Sequence, residues 1–345
     1  MNYSETSSCP PKPCNKSNDD DHREIYPYIL YISQGVLFGT ANLIIFGTIL
    51  KHPIYRHRKE YWMIGALALA DIINEIAFTA GGIFRINLIL NGSATVCVDS
   101  WTCMQHVPNI LWSLSFPLVY FMLLCISIDR FLCVFRPMLY HTLTRLYSVF
   151  MTIVFYFWAS VVCGATISIS YYSARLTKCP HKLYEKLCLY DHVTGSTDAF
   201  FGTTALQFAC STASVVIYAS IPHLYKRQVK KLQDSGHQID LMHLRAQKKL
   251  LITLGISSFF TFLFMVVPTV YRMAVHCLDT IEAFPWAGLI MNMNPAVNTF
   301  LFIFRHKKFR YGVVALLLCR PLPVRDSQWK ARYQRRRTSL QVEKF

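Results

Sequence analysis

Charge is scarce in this chain. Only 16% of its 345 residues are Asp, Glu, Lys or Arg, against about 25% in an ordinary soluble domain. The shortage is uneven, because long apolar stretches carry almost no charge and the charged residues crowd between them. The sequence has no glycine-rich phosphate loop, no Cys-x-x-Cys pair and no cluster of metal-ligating residues, which argues against nucleotide-binding and zinc-binding readings. It has no internal repeat of the kind that marks many secondary transporters. The first 26 residues are polar, contain Asp19-Asp20-Asp21 and offer no apolar core for a cleavable signal. The first apolar segment is therefore expected to act as an uncleaved signal anchor.

What is present in quantity is apolar sequence: 53% hydrophobic residues, 14% aromatic, and a mean hydropathy of +0.30. A membrane helix needs roughly 20 predominantly apolar residues. Seven stretches meet that length: 27–50, 61–84, 104–128, 146–172, 199–225, 250–271 and 283–304. Within these bounds the only acidic or basic side chains are Asp71 and Glu75. A soluble protein built of seven long helices would need polar faces on most of them. The composition predicts an all-α membrane protein, a seven-helix bundle (27–304) between an outer tail (1–26) and an inner basic tail (321–345). Residues 305–320 read Phe-Arg-His-Lys-Lys-Phe-Arg around 304–310, then turn apolar, the pattern of an amphipathic helix on a leaflet surface, with Cys319 a candidate for palmitoylation.

With seven spans the two termini lie on opposite sides. Placing the N-terminus outside puts 26 of the 35 Lys and Arg residues in inner segments, which the positive-inside rule favours. Asn2-Tyr3-Ser4, Asn15-Lys16-Ser17 and Asn91-Gly92-Ser93 are glycosylation sequons, and all three fall in the same predicted outer segments. The expected location is the plasma membrane with the N-terminus extracellular. The net charge of +16 belongs to segments facing anionic lipid, so membrane lipids rather than nucleic acid are the expected partners. Of the 12 cysteines, Cys9, Cys14, Cys97, Cys103, Cys179, Cys188 and Cys277 lie on the outer side, where pairing is expected. Connectivity does not follow from sequence alone. The most economical bridge ties Cys103 at the top of the third helix to Cys188 in the second outer loop. Cys97 with Cys179 and Cys9 with Cys14 are further candidates.

Seven helices with this orientation still fit a receptor, a channel or a transporter. The discriminating residues sit at particular helix positions. Asp129-Arg130-Phe131 closes the third helix at its inner end, Leu67-Ala68-Leu69-Ala70-Asp71 lies in the second, and Asn42 lies in the first. Trp158 is in the fourth helix, Phe262 and Pro268 in the sixth, and Asn294-Pro295-Ala296-Val297-Asn298 in the seventh. This set, in this order over roughly residues 28–320, resembles the rhodopsin-like G-protein-coupled receptors. Tyr218 followed by Lys226-Arg227-Gln228 is similar to the inner end of that family's fifth helix. The departures matter too. Asn298 stands where the family usually has Tyr, and Val266 where a Trp usually precedes the proline. No acid on the third helix could pair an amine, and Gly288 occupies the position of a retinal-binding Lys. With Arg136-Pro137-Met138-Leu139-Tyr140 retained in the second inner loop, the divergence is most similar to invertebrate chemosensory members, especially nematode ones.

The resemblance implies roles for these residues. The receptor would bind an extracellular small molecule or peptide, chemosensory or neuropeptide in character, and activate a heterotrimeric G protein. Asp129, Arg130 and Phe131 would form the coupling site, with Arg130 paired to Asp129 at rest and free to donate to an inserted G-protein helix afterwards. Lys248 and Lys249 at the start of the sixth helix leave Arg130 no acid there for an ionic latch. A carboxylate in mid-membrane costs about 2.5–3.5 kcal/mol on insertion scales, so Asp71 is expected in a polar cluster with Asn42 and Asn294. Such a cluster can hold sodium, although Val119 removes one useful hydroxyl. Glu75, one turn outward, either extends that cluster or enters a ligand pocket. Pro268 and Pro295 remove backbone hydrogen bonds and leave kinks. Motion about Pro268 would swing the inner half of the sixth helix, with Phe262 carrying the packing change and Tyr218 and Asn298 as further switch residues. Gly35 and Gly39 form a Gly-x-x-x-Gly pair expected to pack within the bundle. Depth alone nominates Gln105, Asn109, Trp112, Arg272, His276 and Glu282 as ligand contacts. The rival function is a seven-helix chemosensory ion channel or transporter, against which the sequons and basic bias speak. An intramembrane hydrolase is disfavoured because His106 and His223 lie near opposite faces, away from Asp71.

Overall fold

The computed structural model describes residues 25–318 apart from 57, 95, 177–183, 186, 189–196, 235–251, 253, 254, 278–283 and 306. Seven helices within it are long and apolar enough to cross a membrane. They are α1 (Tyr26–Lys51), α2 (Lys59–Leu90), α3 (Val107–Phe135), α4 (Arg145–Leu176) and α5 (Thr197–Asp234). The sixth, α6, spans Gly255–Ala274 and continues to Cys277. The seventh, α7, is built from Phe284–Met291 and Met293–Arg305 with a turn at Asn292. A shorter helix follows, α8 (Lys307–Leu317). The end of the bundle bearing the loop between α4 and α5 is called outer below, after the orientation the sequence predicts.

The helices outrun the apolar stretches. At 1.5 Å per residue, the 32 residues of α2 extend about 48 Å, well beyond a hydrocarbon core of about 30 Å. Arg85, Asp129, Arg130 and Arg272 therefore lie on the same long helices, beyond the ends of the apolar stretches. The third helix also starts later than residue 104. A separate turn, Ser100–Met104, is capped by Asp99, whose side chain accepts from the Thr102 N–H at 3.0 Å, and α3 then opens on Val107 and Pro108. Two short strands, β1 (Cys97–Val98) and β2 (Tyr184–Glu185), pair antiparallel at the outer end.

The distribution of polarity is the reverse of that in a water-soluble protein. Leu37, Ile153, Phe157, Val216, Phe259 and Phe300 are all more than half exposed, while Asn42, Asp71, Asn74, Glu75, Ser115 and Asn294 are buried. Polar groups turned inward and apolar groups turned outward are what lipid demands. Close helix contact depends on small residues. A Cβ on Gly35 would lie 2.2 Å from Thr79 Oγ1 and 2.7 Å from the Glu75 carbonyl, so α1 and α2 touch backbone to backbone at that point. The Gly35 and Gly39 pair accordingly packs inside the bundle, facing α2. At the inner end α8 lies against α1, with Phe309 stacked on Tyr61 at 5.9 Å and against Tyr55 at 5.5 Å. One face of α8 (Phe309, Val313) is buried, and Tyr311, Val314 and Leu317 are exposed.

Candidate functional site

At the inner end of α3 the helix surface is crowded by α2 and α5, so Asp129 and Arg130 are buried, at 0% and 2% exposure. Arg130 Nη2 sits 2.6 Å from Asp129 Oδ2. Arg130 Nε and Nη1 have no partner among the described residues, which leaves much of the guanidinium fork uncommitted. Phe131 stacks on Phe135 at 5.4 Å. Two residues that the sequence did not single out for a role complete this arrangement. The Tyr140 hydroxyl donates to Asp129 Oδ2 at 3.2 Å from the short helix Pro137–Thr142. Lys59 donates to the carbonyls of Tyr140 and Leu143 and lies 3.6 Å above the Tyr140 ring. Burial pushes the Tyr140 hydroxyl well above its ordinary pKa, so at neutral pH it keeps its proton and remains a donor. Arg130 and Tyr140 thus both hold Asp129 through Oδ2, and its Oδ1 has no partner among the described residues.

In mid-bundle the polar residues sort into pairs. Asn42 Oδ1 accepts from Thr299 Oγ1 at 2.9 Å, and its amide donates to the Phe38 carbonyl at 3.1 Å. Asn294 Oδ1 accepts from Thr261 Oγ1 at 3.1 Å, and Asn298 Oδ1 from the Ser257 hydroxyl. Asp71 is buried, its Oδ1 without a partner among the described residues, and Asn42 and Asn294 each accept from a hydroxyl. A second network lies one turn outward. Asn292 donates to Glu75 Oε2 at 3.0 Å and to Gln34 at 3.4 Å, and it accepts from Asn74, which in turn accepts from Ser115 at 3.1 Å. Glu75 thereby extends the polar interior. Among the described residues Asp71 Oδ1 and Glu75 Oε1 are buried without a hydrogen-bond partner, and Val119 offers no hydroxyl beside them.

The hinge elements of α6 and α7 also take definite positions. Pro268 and Pro295 are buried. Immediately before Pro268, residues Phe262–Val266 form a turn of π-helix, in which the Val267 N–H reaches back to the Phe262 carbonyl. Such a turn is a weak point in a helix, and the proline adds a missing donor. Phe262 is 45% exposed, so it does not carry core packing as expected. Met265 and Val266 are buried below the proline instead. Tyr218 on α5 is buried, and its hydroxyl has no partner among the described residues. It lines a small cavity together with Ser257, Thr261 and Asn298.

At the outer end Cys103 and Cys188 are disulfide-bonded. The residue that secures this loop was missed in the sequence. Arg85, 1% exposed, donates to the Cys188 carbonyl at 2.7 Å and the Leu187 carbonyl at 3.2 Å, with its guanidinium 4.4 Å over the Trp112 ring. Gly81 makes the room, since a Cβ there would lie 2.5 Å from Trp112. Among the ligand candidates, Trp112 is buried against Phe78 and Tyr31. Asn109 is buried and donates to the Cys103 carbonyl at 2.7 Å. Arg272 is buried, 3.8 Å from the Met291 sulfur. Gln105 is exposed at the C-cap of the Ser100–Met104 turn, which removes it from the bundle interior. His276 lies on the last turns of α6 with its side chain outside the described residues, and Glu282 is outside them altogether. So are Asn2, Asn15, Cys9, Cys14, Cys179 and Cys319, and the side chains of Cys97 and Cys277. Asn91 is exposed at the C-terminus of α2. We expect Arg85→Ala to leave the loop carbonyls without their charged donor, at a cost of about 2–3 kcal/mol. A thermal melt of the purified chain should show a clear loss, partly recovered in Arg85→Lys. An unchanged melting temperature would remove Arg85 from this account.

No family model matches the chain. Among curated proteins it is similar to melanocortin receptor 5 of Rattus norvegicus, 24% identical over 304 residues that cover 84% of this chain and 83% of that one. The same receptor from Mus musculus is 23% identical over 303 residues, with the same coverage. Similarity to these receptors along most of both lengths, joined to seven membrane-length helices with their polar residues turned inward, indicates a G-protein-coupled receptor that binds a ligand from outside the cell.

Proposed function

We propose that the chain is a plasma-membrane receptor with its N-terminus outside, that its ligand is a peptide or small molecule, and that Arg130 is the residue through which it engages a G protein. The observation that carries this reading is the Asp129–Arg130 pair, buried at the end of α3 with part of the guanidinium unpartnered. A fixed planar donor of this kind suits the carbonyls at the end of an incoming helix. Ligand binding among Asn109, Trp112 and Arg272 would favour an arrangement in which α6 swings about Pro268 and the π-helical turn, opening the space beside Arg130. The differential affinity available to such a ligand is typically about 1–3 kcal/mol. Asn2 and Asn15 are proposed glycosylation sites, and Cys319 a proposed lipid anchor.

Two measurements bear on this reading. An N-terminal tag should be stained on intact cells and shift in mass on deglycosylation; staining only after permeabilisation would reverse the topology. The named relatives bind melanocortins, so melanocortin peptides are the first probes, followed by a wider peptide library. Second-messenger response and membrane current should be recorded together. A second-messenger response without a direct current is expected. A current that persists in the presence of a non-hydrolysable GDP analogue would favour the channel reading.

A further inference from the structure

The two features that usually hold this receptor class at rest are missing here: Val266 replaces the Trp before the α6 proline, and Asn298 replaces the Tyr on α7. The geometry points to a replacement. We propose that α6 and α7 are latched by a two-rung polar ladder, Thr261 to Asn294 and Ser257 to Asn298, and that breaking these rungs releases the inner half of α6. This inference rests on the receptor reading above and supplies it with a resting state.

Ser257 and Thr261 are four residues apart on α6, as Asn294 and Asn298 are on α7, so each pair lies on one face of its helix. All four are buried, at 7%, 2%, 0% and 3% exposure. Thr261 Oγ1 is 3.1 Å from Asn294 Oδ1, and the Ser257 hydroxyl donates to Asn298 Oδ1. The Thr261 hydroxyl has one proton and two acceptors in reach, Asn294 Oδ1 and the Ser257 carbonyl at 3.0 Å. Whether it shares that proton or accepts from the Asn294 amide while donating to the carbonyl, the contact between helices is kept. A buried asparagine facing only apolar neighbours would be left with unmade hydrogen bonds, so each side chain favours the arrangement in which its opposite number is present.

The position of the ladder makes it a latch. Phe262–Val266, the π-helical turn, begins at the residue after Thr261, and Pro268 follows it. The soft part of α6 therefore lies just outward of the upper rung, and both rungs join the described residues inward of it to α7. A group that would receive a released side chain is already in place: the Tyr218 hydroxyl is buried without a partner among the described residues, and Tyr218 lines one cavity with Ser257, Thr261 and Asn298. Two alternative pairings of the same polar groups give a two-state element of the kind a switch requires.

The test uses the full-length chain in lipid nanodiscs, with spin labels at the exposed positions Ile256 on α6 and Phe304 on α7. Ser257→Ala/Thr261→Val removes both hydroxyls at nearly constant volume. Its distance distribution should gain a longer population, and its basal nucleotide exchange should rise about tenfold, the effect of losing two interhelical hydrogen bonds of average strength. A distribution identical to wild type would overturn the latch. A longer distance without exchange on any G protein would keep the latch and count against the G-protein reading. If the double variant fails to fold, Ser257→Cys/Asn298→Cys gives a second route. Oxidised, it should hold the short distance and suppress exchange, and reduced it should release both. The same distribution in both redox states would overturn the proposal.

Discussion

Cells expressing Cys188→Ser should display severalfold less of the receptor than cells expressing the wild type. The bridge joins residues 85 apart in sequence, and closing a loop of that length restricts the unfolded chain by on the order of 4 kcal/mol. A membrane-inserted unfolded state is already restricted, so the realised figure is smaller, yet the local structure argues for a large effect. Cys188 has φ +47°, a left-handed backbone conformation that disfavours a side chain. What offsets that strain is the disulfide on one side of the residue and Arg85 on the other, whose Nη2 donates to the Cys188 carbonyl. Without the bridge, Arg85 is left buried with acceptors that are free to leave, and a buried guanidinium in that state is costly. The control is Cys163→Ser, which changes a buried free thiol on α4 and should leave surface density unchanged. Equal surface density for Cys188→Ser and wild type would mean the loop is held without the bridge.

The outer and inner ends were unequally legible in the sequence. Hydropathy located seven spans because each contains a run of apolar residues long enough to be unmistakable. It placed their ends too early, since a helix does not stop where the first charge occurs. It stops where its backbone hydrogen bonds end, which for α2 is beyond Arg85 and for α3 beyond Arg130. Asp129-Arg130-Phe131 and Asn294-Pro295 were readable because their chemistry is local to a few residues. Arg85 was not, because its partners are backbone carbonyls 102 and 103 positions away, and a carbonyl leaves no trace in the residue types. Tyr140 was visible in the second inner loop, but its contact with Asp129 depends on the short helix that turns it back toward α3. Ser257 and Thr261 looked like ordinary helix hydroxyls. The Thr261 hydroxyl does reach the carbonyl four residues earlier, the usual habit of such residues, and only the facing asparagines give it a second role. Phe262 was misplaced for a related reason. A helical period assumes a regular helix, and the π-helical turn alters the facing of the residues within it.

The most direct test of the central claim is nucleotide exchange on a heterotrimeric G protein by the purified chain in nanodiscs. Arg130 is ion-paired with Asp129, and its truncation leaves that buried carboxylate with the Tyr140 donor at a cost in stability, so exchange rates are compared at matched chain density. Arg130 and Asp129 should have opposite effects on signalling. Asp129→Asn keeps the shape and the acceptor for Tyr140 but loosens the charge that restrains Arg130, so basal exchange should rise severalfold. Arg130→Ala removes the donor itself, and a transition that depends on it should lose at least tenfold in rate, about 1.4 kcal/mol or more. Combining Arg130→Ala with Ser257→Ala/Thr261→Val should return the raised exchange of the unlatched form to background, because release of α6 has no effect without a group to engage. Exchange at the level of empty nanodiscs is expected for every variant lacking Arg130, at a chain density equal to wild type. Exchange by Arg130→Ala at the wild-type rate would contradict that expectation.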